Sequence, residues 1–452
     1  MLTELPTYLD GATLTGLTGS VAQTVGLTAA VADFPAPVGA LVSIKRQAGD
    51  SIEGEVIGFR DRQTLVMPLS NLEGIRRGSP VKLIRSTRTI RVGDGLLGRV
   101  VDARGQCIDG RPQPMLYDRR SMIGDRISPT QRPPIDIALA TGVKAIDGLL
   151  TCGRGQRLGI FAGSGVGKSV LLGTMCRYTN ADVSVIAMIG ERGREVNEFV
   201  GRQLGPKGLA RSVVIAATSN EPALLRVQAA YVATTIAEYF RDTGKNVLLV
   251  MDSVTRFALA QREIGLSAGE PPTTRGFPPS VFALLPKLVE RAGRTKTGSI
   301  TAFYSVLVEG DDENEPIADT MRGLLDGHVW LSRRLAERGH YPAINVLSSI
   351  SRLMNEVSTP VEQQSARVLR QMLAVLDDNE DLLSIGAYRQ GANRELDVAV
   401  AMKNELNALL TQQIDEQTSL GEIRAAITQL ATKCAQQLTN EAKPQAKENP
   451  AS

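Results

Sequence analysis

The segment Ala162-Gly163-Ser164-Gly165-Val166-Gly167-Lys168-Ser169 constrains this chain more than any other stretch of it. It fits the Walker A pattern G-x-x-x-x-G-K-[ST], with Ala162 in the first glycine position. A short apolar run, Arg157 to Phe161, precedes it, and Lys168 to Tyr178 has the composition of a helix. In the order strand, loop, helix, such glycines curl backbone N–H groups around phosphate oxygens at a helix N-terminus. Lys168 is then placed to neutralise the β- and γ-phosphates, and the Ser169 hydroxyl to ligate Mg²⁺. A merely flexible glycine-rich turn would not need that context. A dinucleotide fingerprint needs G-x-G-x-x-G, a spacing this loop does not have.

The strands and helices around the loop agree with it. Val183 to Ile189, Val213 to Ala217 and Val247 to Met251 are continuous apolar runs separated by helical patterns. Pro222 to Phe240, with Asn220 expected as its cap, carries Leu225, Ala229, Val232, Ile236 and Phe240 along one stripe. Fully apolar strands alternating with helices imply an α/β fold with a parallel sheet covered on both faces. Asp252 ends the run Val247 to Met251, the Walker B arrangement in which a carboxylate holds Mg²⁺ through its water shell. Glu191 follows the run Val183 to Ile189, the next strand after the P-loop helix. On a parallel neighbouring strand its carboxylate would reach the γ-phosphate side and polarise water. Alternatively, Gly190 to Glu195 is a solvated charged loop.

The 452 residues are enough for about three domains. Short β-like runs punctuated by Gly, Pro and Asp (Val38 to Lys45, Gly54 to Phe59, Thr64 to Leu69, Pro80 to Ile84) suggest a small β-barrel over residues 14–87, after a short extension, 1–13. Leu96 to Val101 and Gln106 to Ile108 are further β-like pieces opening the ATPase-type domain, 88–359. Residues 360–440 read as helical, and the Lys-, Pro- and Ala-rich stretch 441–452 as disordered.

Charge and composition exclude other classes. A net charge of +3 and 4% aromatics do not fit a nucleic-acid binder built on basic grooves and stacking platforms. The four cysteines form no C-x-x-C pair and suit a reducing compartment, and His328 and His340 are too far from them in sequence for a zinc site. No Lys or Arg precedes Lys45 and no apolar run approaches about 18 residues, so neither a signal peptide nor a membrane span is expected.

The P-loop, Glu191 and Asp252, at these spacings, resemble the hexameric RecA-like ATPases of the rotary ATP synthase superfamily. Leu248 to Phe257, Ala268 to Arg275, Gly298 to Asp312, Leu325 to Arg333, His340 to Ala343 and Ser349 to Arg352 are similar to the ATPases of type III protein export, and among these to the flagellum-specific ones. The resemblance spans about Leu14 to Asn440. It implies that Glu191 is the catalytic glutamate, Arg192 a phosphate-side arginine and Arg256 an arginine of the catalytic pocket. Tyr341 would stack on adenine, and Arg352 would be the arginine finger offered to an adjacent subunit. It also implies Mg²⁺-dependent ATP hydrolysis by a cytoplasmic homo-oligomer, a hexamer, attached to the periphery of an inner-membrane export apparatus. Implied partners are a stator-like regulator, a central stalk protein, the membrane export gate, and export chaperones with their cargo; nucleic acid is not among them.

Two departures from the wider pattern refine this. Synthase catalytic subunits carry a strongly acidic loop facing the rotor, whereas Gly386 to Gly391 here is not acidic, which favours export over synthesis. Only about a dozen residues stand before the barrel, so a regulator contact through a long N-terminal helix is not expected. An injectisome ATPase is the alternative, and a rotary synthase subunit or a hexameric nucleic-acid translocase fits less well. A nucleotide-binding subunit that does not hydrolyse would lack a base where Glu191 stands.

Overall fold

The computed structural model describes residues 16–440 apart from 125, 126, 309, 311 and 313. The stretches 1–13 and 441–452, read above as an extension and a disordered tail, lie outside the described residues.

Six antiparallel strands form a closed barrel: β1 (Thr18–Val25), β2 (Thr28–Ala32), β3 (Leu41–Ile44), β4 (Ile52–Arg60), β5 (Gln63–Pro68) and β6 (Pro80–Arg85), in the order β1-β2-β5-β4-β3-β6. Alternation drives the closure: in β6, Val81 and Leu83 are buried while Pro80 and Lys82 are exposed, and the inward set meets Val31, Val42, Ile44 and Val66. Closure leaves no free edge. β1 mixes Gly, Thr, Ser and Gln with its apolar residues and so gives no apolar run to read in advance.

The central sheet contains β7 (Arg99–Val101), β8 (Arg157–Ala162), β9 (Val183–Glu191), β10 (Ser212–Thr218), β11 (Asn246–Asp252), β12 (Ser299–Leu307), β13 (Gly327–Leu331) and β14 (Ile344–Ser351). Its order is β14-β13-β8-β12-β11-β9-β10-β7, parallel along this path except for β14 at one edge, and the two-residue strand Gly293–Arg294 pairs antiparallel with the start of β12. Because side chains alternate, one strand feeds two cores. Val183, Val185, Ala187 and Ile189 face the helix α2 (Ala223–Asp242), while Ile186 and Met188 join the core of the P-loop helix α1 (Lys168–Tyr178) and the C-terminal helices. Gln106 to Ile108 forms only an isolated bridge, Val101 to Cys107.

Two expectations are corrected. Pro222, not Asn220, stands at the N-cap of α2, and Asn220 instead accepts from the Thr218 hydroxyl at 2.6 Å. The strand carrying Glu191 does not neighbour the P-loop strand: β12 and β11 lie between them. The longer separation is bridged because all four strands end at the same edge of the sheet. The C-terminal helices α3 (Pro360–Asp378), α4 (Arg394–Leu410) and α5 (Leu420–Asn440) pack on the α1 side. Among the described residues no helix is long and apolar enough to cross a membrane, and all four cysteines are buried and unbridged.

Candidate active site

The parallel strands β8, β12, β11 and β9 deliver their C-terminal ends to one cleft. After β8 the chain turns through Gly165 and Gly167, both at positive φ (81° and 89°), and enters α1. Gly167 caps the helix with backbone alone, leaving the first-turn N–H groups directed to the cleft. A side chain at Gly167 would be strained by its φ, and its Cβ would stand 3.4 Å from the Tyr341 ring.

Two charge pairs sit below this loop. Lys168 Nζ ion-pairs with Asp252 Oδ1, which also accepts from the Ser305 hydroxyl at 3.0 Å. Asp252 is buried at the end of β11, and Ser253 then caps the following helix, accepting from the Arg256 N–H at 3.3 Å. That geometry turns Arg256 back over Gly190, where an added Cβ would lie 2.8 Å from the arginine Cδ. Arg256 Nε donates to Glu191 Oε1 at 3.2 Å and its Nη2 to Oε2 at 3.5 Å.

Glu191 is only 7% exposed. Burial, reinforced by Glu195 and the Asp252 charge, pushes its carboxyl up to about 7 against the opposing pull of Lys168 and Arg256. Glu195, one helical turn further on, is held below its ordinary range, chiefly by the hydrogen bond with Glu191. A carboxylate poised near neutrality beside a phosphate loop has the properties of a general base.

The cleft has two adjoining parts. The phosphate part, about 620 Å³, is lined by the loop, Lys168, Ser169, Glu191, Arg192, Glu195, Arg256 and Arg333. The other, about 680 Å³, shares Gly165, Gly167 and Val170 with it and adds Tyr341, Ile414 and Glu416. The last two come from the loop between α4 and α5. Gln412 fastens this loop: its Nε2 donates to the Gly142 carbonyl at 2.8 Å and its Oε1 accepts from Lys144 N–H at 2.9 Å. Its backbone N–H donates to the Tyr341 carbonyl at 2.9 Å, and Lys144 ion-pairs with Glu416.

The structure thus brings together the residues 162–169, Glu191, Arg192, Asp252, Arg256 and Tyr341. It does not bring Arg352 to them. Ser351 pairs with Gly327 at the start of β13, whereas the P-loop leaves β8 level with Leu331. At about 3.3 Å per residue, Arg352 lies at least about 13 Å away, beyond the opposite edge of the sheet. Sequence reasoning missed Glu195, Ser305 and Gln412. Ser305 had a visible signal, a small polar residue between the large side chains of Tyr304 and Val306; Gln412 had none.

The chain matches the ATP synthase alpha/beta family in its nucleotide-binding domain over residues 142–351 and in its beta-barrel domain over 21–84. Residues 358–429 match the C-terminal domain of the type III secretion ATPase EscN. A flagellum-specific ATP synthase of Bacillus subtilis is 50% identical over 91% of this chain and 94% of its own. One from Salmonella typhimurium is 51% identical over 88% and 90%. A type 3 secretion system ATPase of Xanthomonas euvesicatoria is 47% identical over 88% and 90%. The assembled ATPase EscN from the enteropathogenic E. coli type III secretion system superposes with a TM-score of 0.87 at 43% identity, covering 91% of this chain and 100% of that one. A further structure of it, in complex with its central stalk EscO, gives 0.85 at 42% identity, covering 91% and 100%.

Proposed function

The chain belongs to the ATP synthase alpha/beta family, in the branch of the flagellum-specific and type 3 secretion ATPases, and from that premise we propose that it hydrolyses ATP to support export of flagellar proteins. The observation that carries the proposal is the Glu191–Arg256 pair standing beside the Lys168–Asp252 pair under one phosphate loop. Loop N–H groups and Lys168 bind the phosphates, Arg192 and Arg256 flank them, and Tyr341 stacks on the base. Glu191 orients water and takes its proton, with Arg256 holding the carboxylate in place.

The donor set fits Mg²⁺. Ser169 and Asp252 offer hard oxygens at the loop, and no cluster of three His, Cys, Asp or Glu among the described residues forms a separate metal cage. Such a pair, completed by phosphate and water oxygens, is how Mg²⁺ is usually held. When bound, the ion neutralises charge on the phosphates.

Arg352, remote from its own cleft and exposed, is the residue offered to a neighbouring subunit, so the working unit is an oligomer, a hexameric ring. The assembled EscN and its complex with a central stalk support an oligomer and a stalk partner, and on this reading the protein works in the cytoplasm at the periphery of the membrane export apparatus. A stator-like regulator, the export gate, chaperones and cargo complete the partners. Flagellar rather than injectisome export is favoured by the 50–51% identities to flagellum-specific relatives.

The biochemical test compares two variants. Glu191→Gln is expected to spare nucleotide binding and slow hydrolysis by about 10²-fold or more, while Lys168→Ala loses tight binding as well. Normal turnover in Glu191→Gln sinks the reading. In cells, deletion is expected to abolish motility and filament-subunit secretion; retained motility with loss of virulence-protein secretion reassigns the chain to an injectisome.

A further inference from the structure

Two short strands after the barrel, Thr89–Val92 and Asp118–Ser121, pair antiparallel with Arg91 directly opposite Arg119 and Ile90 opposite Arg120. Side chains alternate, so Thr89, Arg91 and Arg119 share one face and Ile90 and Arg120 the other. The second face is settled: Ile90 is buried in the main core and Arg120 ion-pairs with Asp242. The first face lines a cavity of about 420 Å³ that Arg85 and Arg104 also line, with exposed Met115 and Tyr117 among its walls. It shares no residue with the P-loop cleft.

Like charges directly opposite in an antiparallel pair are destabilising. No carboxylate lines the cavity to offset them. Arg104 has Glu53 at 3.6 Å, and Arg91 donates to the Leu116 carbonyl at 2.9 Å. Among the described residues, the Arg85 and Arg119 side chains have no hydrogen-bond or ion-pair partner. A second, independent observation points the same way. Thr89 Oγ1 is buried with no hydrogen-bond partner, an orphan hydroxyl in a cationic wall.

We propose that this cavity binds a phosphate-type oxyanion, which bridges Arg91 and Arg119 and accepts from Thr89 Oγ1. A tetrahedral anion takes donors from all sides, as this cluster offers them; a planar carboxylate is satisfied by one bidentate arginine. A soluble oligophosphate and a lipid headgroup present the same chemistry. The anion removes the like-charge conflict between the strands and thereby firms the segment that follows the barrel.

The test uses the full chain with its P-loop saturated by Mg-ADP and inorganic pyrophosphate as the soluble probe, read by calorimetry at low salt. Wild type is expected to bind pyrophosphate, more weakly as NaCl rises. The double variant Arg91→Ser/Arg119→Ser is expected to lose at least about tenfold in affinity, with part of it restored in Arg91→Lys/Arg119→Lys. Because removing one like charge relieves repulsion, Arg119→Gln is expected to melt no lower than wild type without pyrophosphate and to gain less Tm from it. Co-sedimentation with phosphatidylglycerol vesicles, against phosphatidylcholine, distinguishes the source: arginine-dependent vesicle binding without pyrophosphate binding assigns the site to a headgroup. Equal affinity in wild type and double variant overturns the proposal. So does absence of both pyrophosphate binding up to about 10 mM and vesicle binding. Tighter arginine-dependent binding of a polyglutamate peptide than of pyrophosphate also overturns it, in favour of an acidic protein segment.

Discussion

Replacing Arg256 by Gln isolates what the guanidinium does for Glu191. Two unit charges about 4 Å apart interact by about 1 kcal/mol in water and about 4 kcal/mol at the effective dielectric of a protein surface. Arg256 donates to Glu191 at 3.2 Å but its side chain is 35% exposed, so the lower part of that range applies, about 1–2 kcal/mol. At about 1.4 kcal/mol per pKa unit, losing the charge moves the Glu191 carboxyl up by about one unit, from about 7 towards about 8. The sign follows from the role: a base must be ionised, and at pH 7 the ionised fraction drops from about one half to about one tenth. The assay is kcat/KM for ATP between pH 6 and pH 9.5, because this ratio reports groups of the nucleotide-free enzyme. The variant is expected to lose about fivefold at pH 7, with its acid limb displaced to higher pH and most of the loss recovered near pH 9. A loss by the same factor at every pH refutes the reasoning and makes Arg256 a direct ligand of the nucleotide alone.

Glu191→Gln is expected to stabilise the nucleotide-free protein. The folded carboxyl lies at about 7 and the unfolded one at about 4.5, so ionising it costs stability that builds between those values and is full above pH 7. Urea melts are therefore expected to show no gain near pH 4.5 and a gain of up to about 3 kcal/mol at pH 8; a pH-independent difference rejects the shifted carboxyl. Tyr341→Ala is expected to raise KM for ATP by about tenfold or more with kcat little changed, since stacking on a base is worth about 1–3 kcal/mol, while Tyr341→Phe stays near normal. An unmoved KM removes the ring from the site. Arg352→Ala is expected to bind ATP normally and hydrolyse it about 10³-fold more slowly, with wild-type specific activity rising as concentration drives assembly. Mixing Arg352→Ala with Glu191→Gln is expected to return partial activity, and full turnover by dilute wild-type monomer contradicts the shared site.

What could be read in advance depended on how locally each feature is encoded. The P-loop strand and helix were legible because glycine spacing and apolar runs are local, and α1 begins and ends where composition placed it, at Lys168 and Tyr178. Barrel strands β3 to β6 showed as short runs punctuated by Gly, Pro and Asp, whereas β1, with its exposed Thr and Gln, offered no such run. At the site, Asp252 and Glu191 were visible as acids ending apolar strands. Their spatial order was not, because two strands from later in the chain insert between β8 and β9, and pairing partners are a long-range property. Gln412 was hidden for the same reason: it reaches Gly142 across 270 residues, from a loop whose sequence looks like any polar turn. Arg352 gained meaning from the family resemblance, and its antiparallel edge strand then gave a geometric reason for its remoteness.

The Lys168–Asp252 pair makes the resting cleft its own counterion. On the proposed reading Lys168 is the cation for phosphate and Asp252 the anion for metal, and the two neutralise one another in a buried place, with Ser305 donating to the aspartate. Separating them is unfavourable unless both receive new partners together, since a single buried charge left alone is costly. A bare triphosphate takes the lysine but faces the abandoned carboxylate, and a lone divalent ion takes the carboxylate but faces the abandoned ammonium. Only the metal–nucleotide complex exchanges both bonds in one event. With the roles proposed for Lys168 and Asp252, this pairing favours the complete metal–nucleotide complex over either half of it.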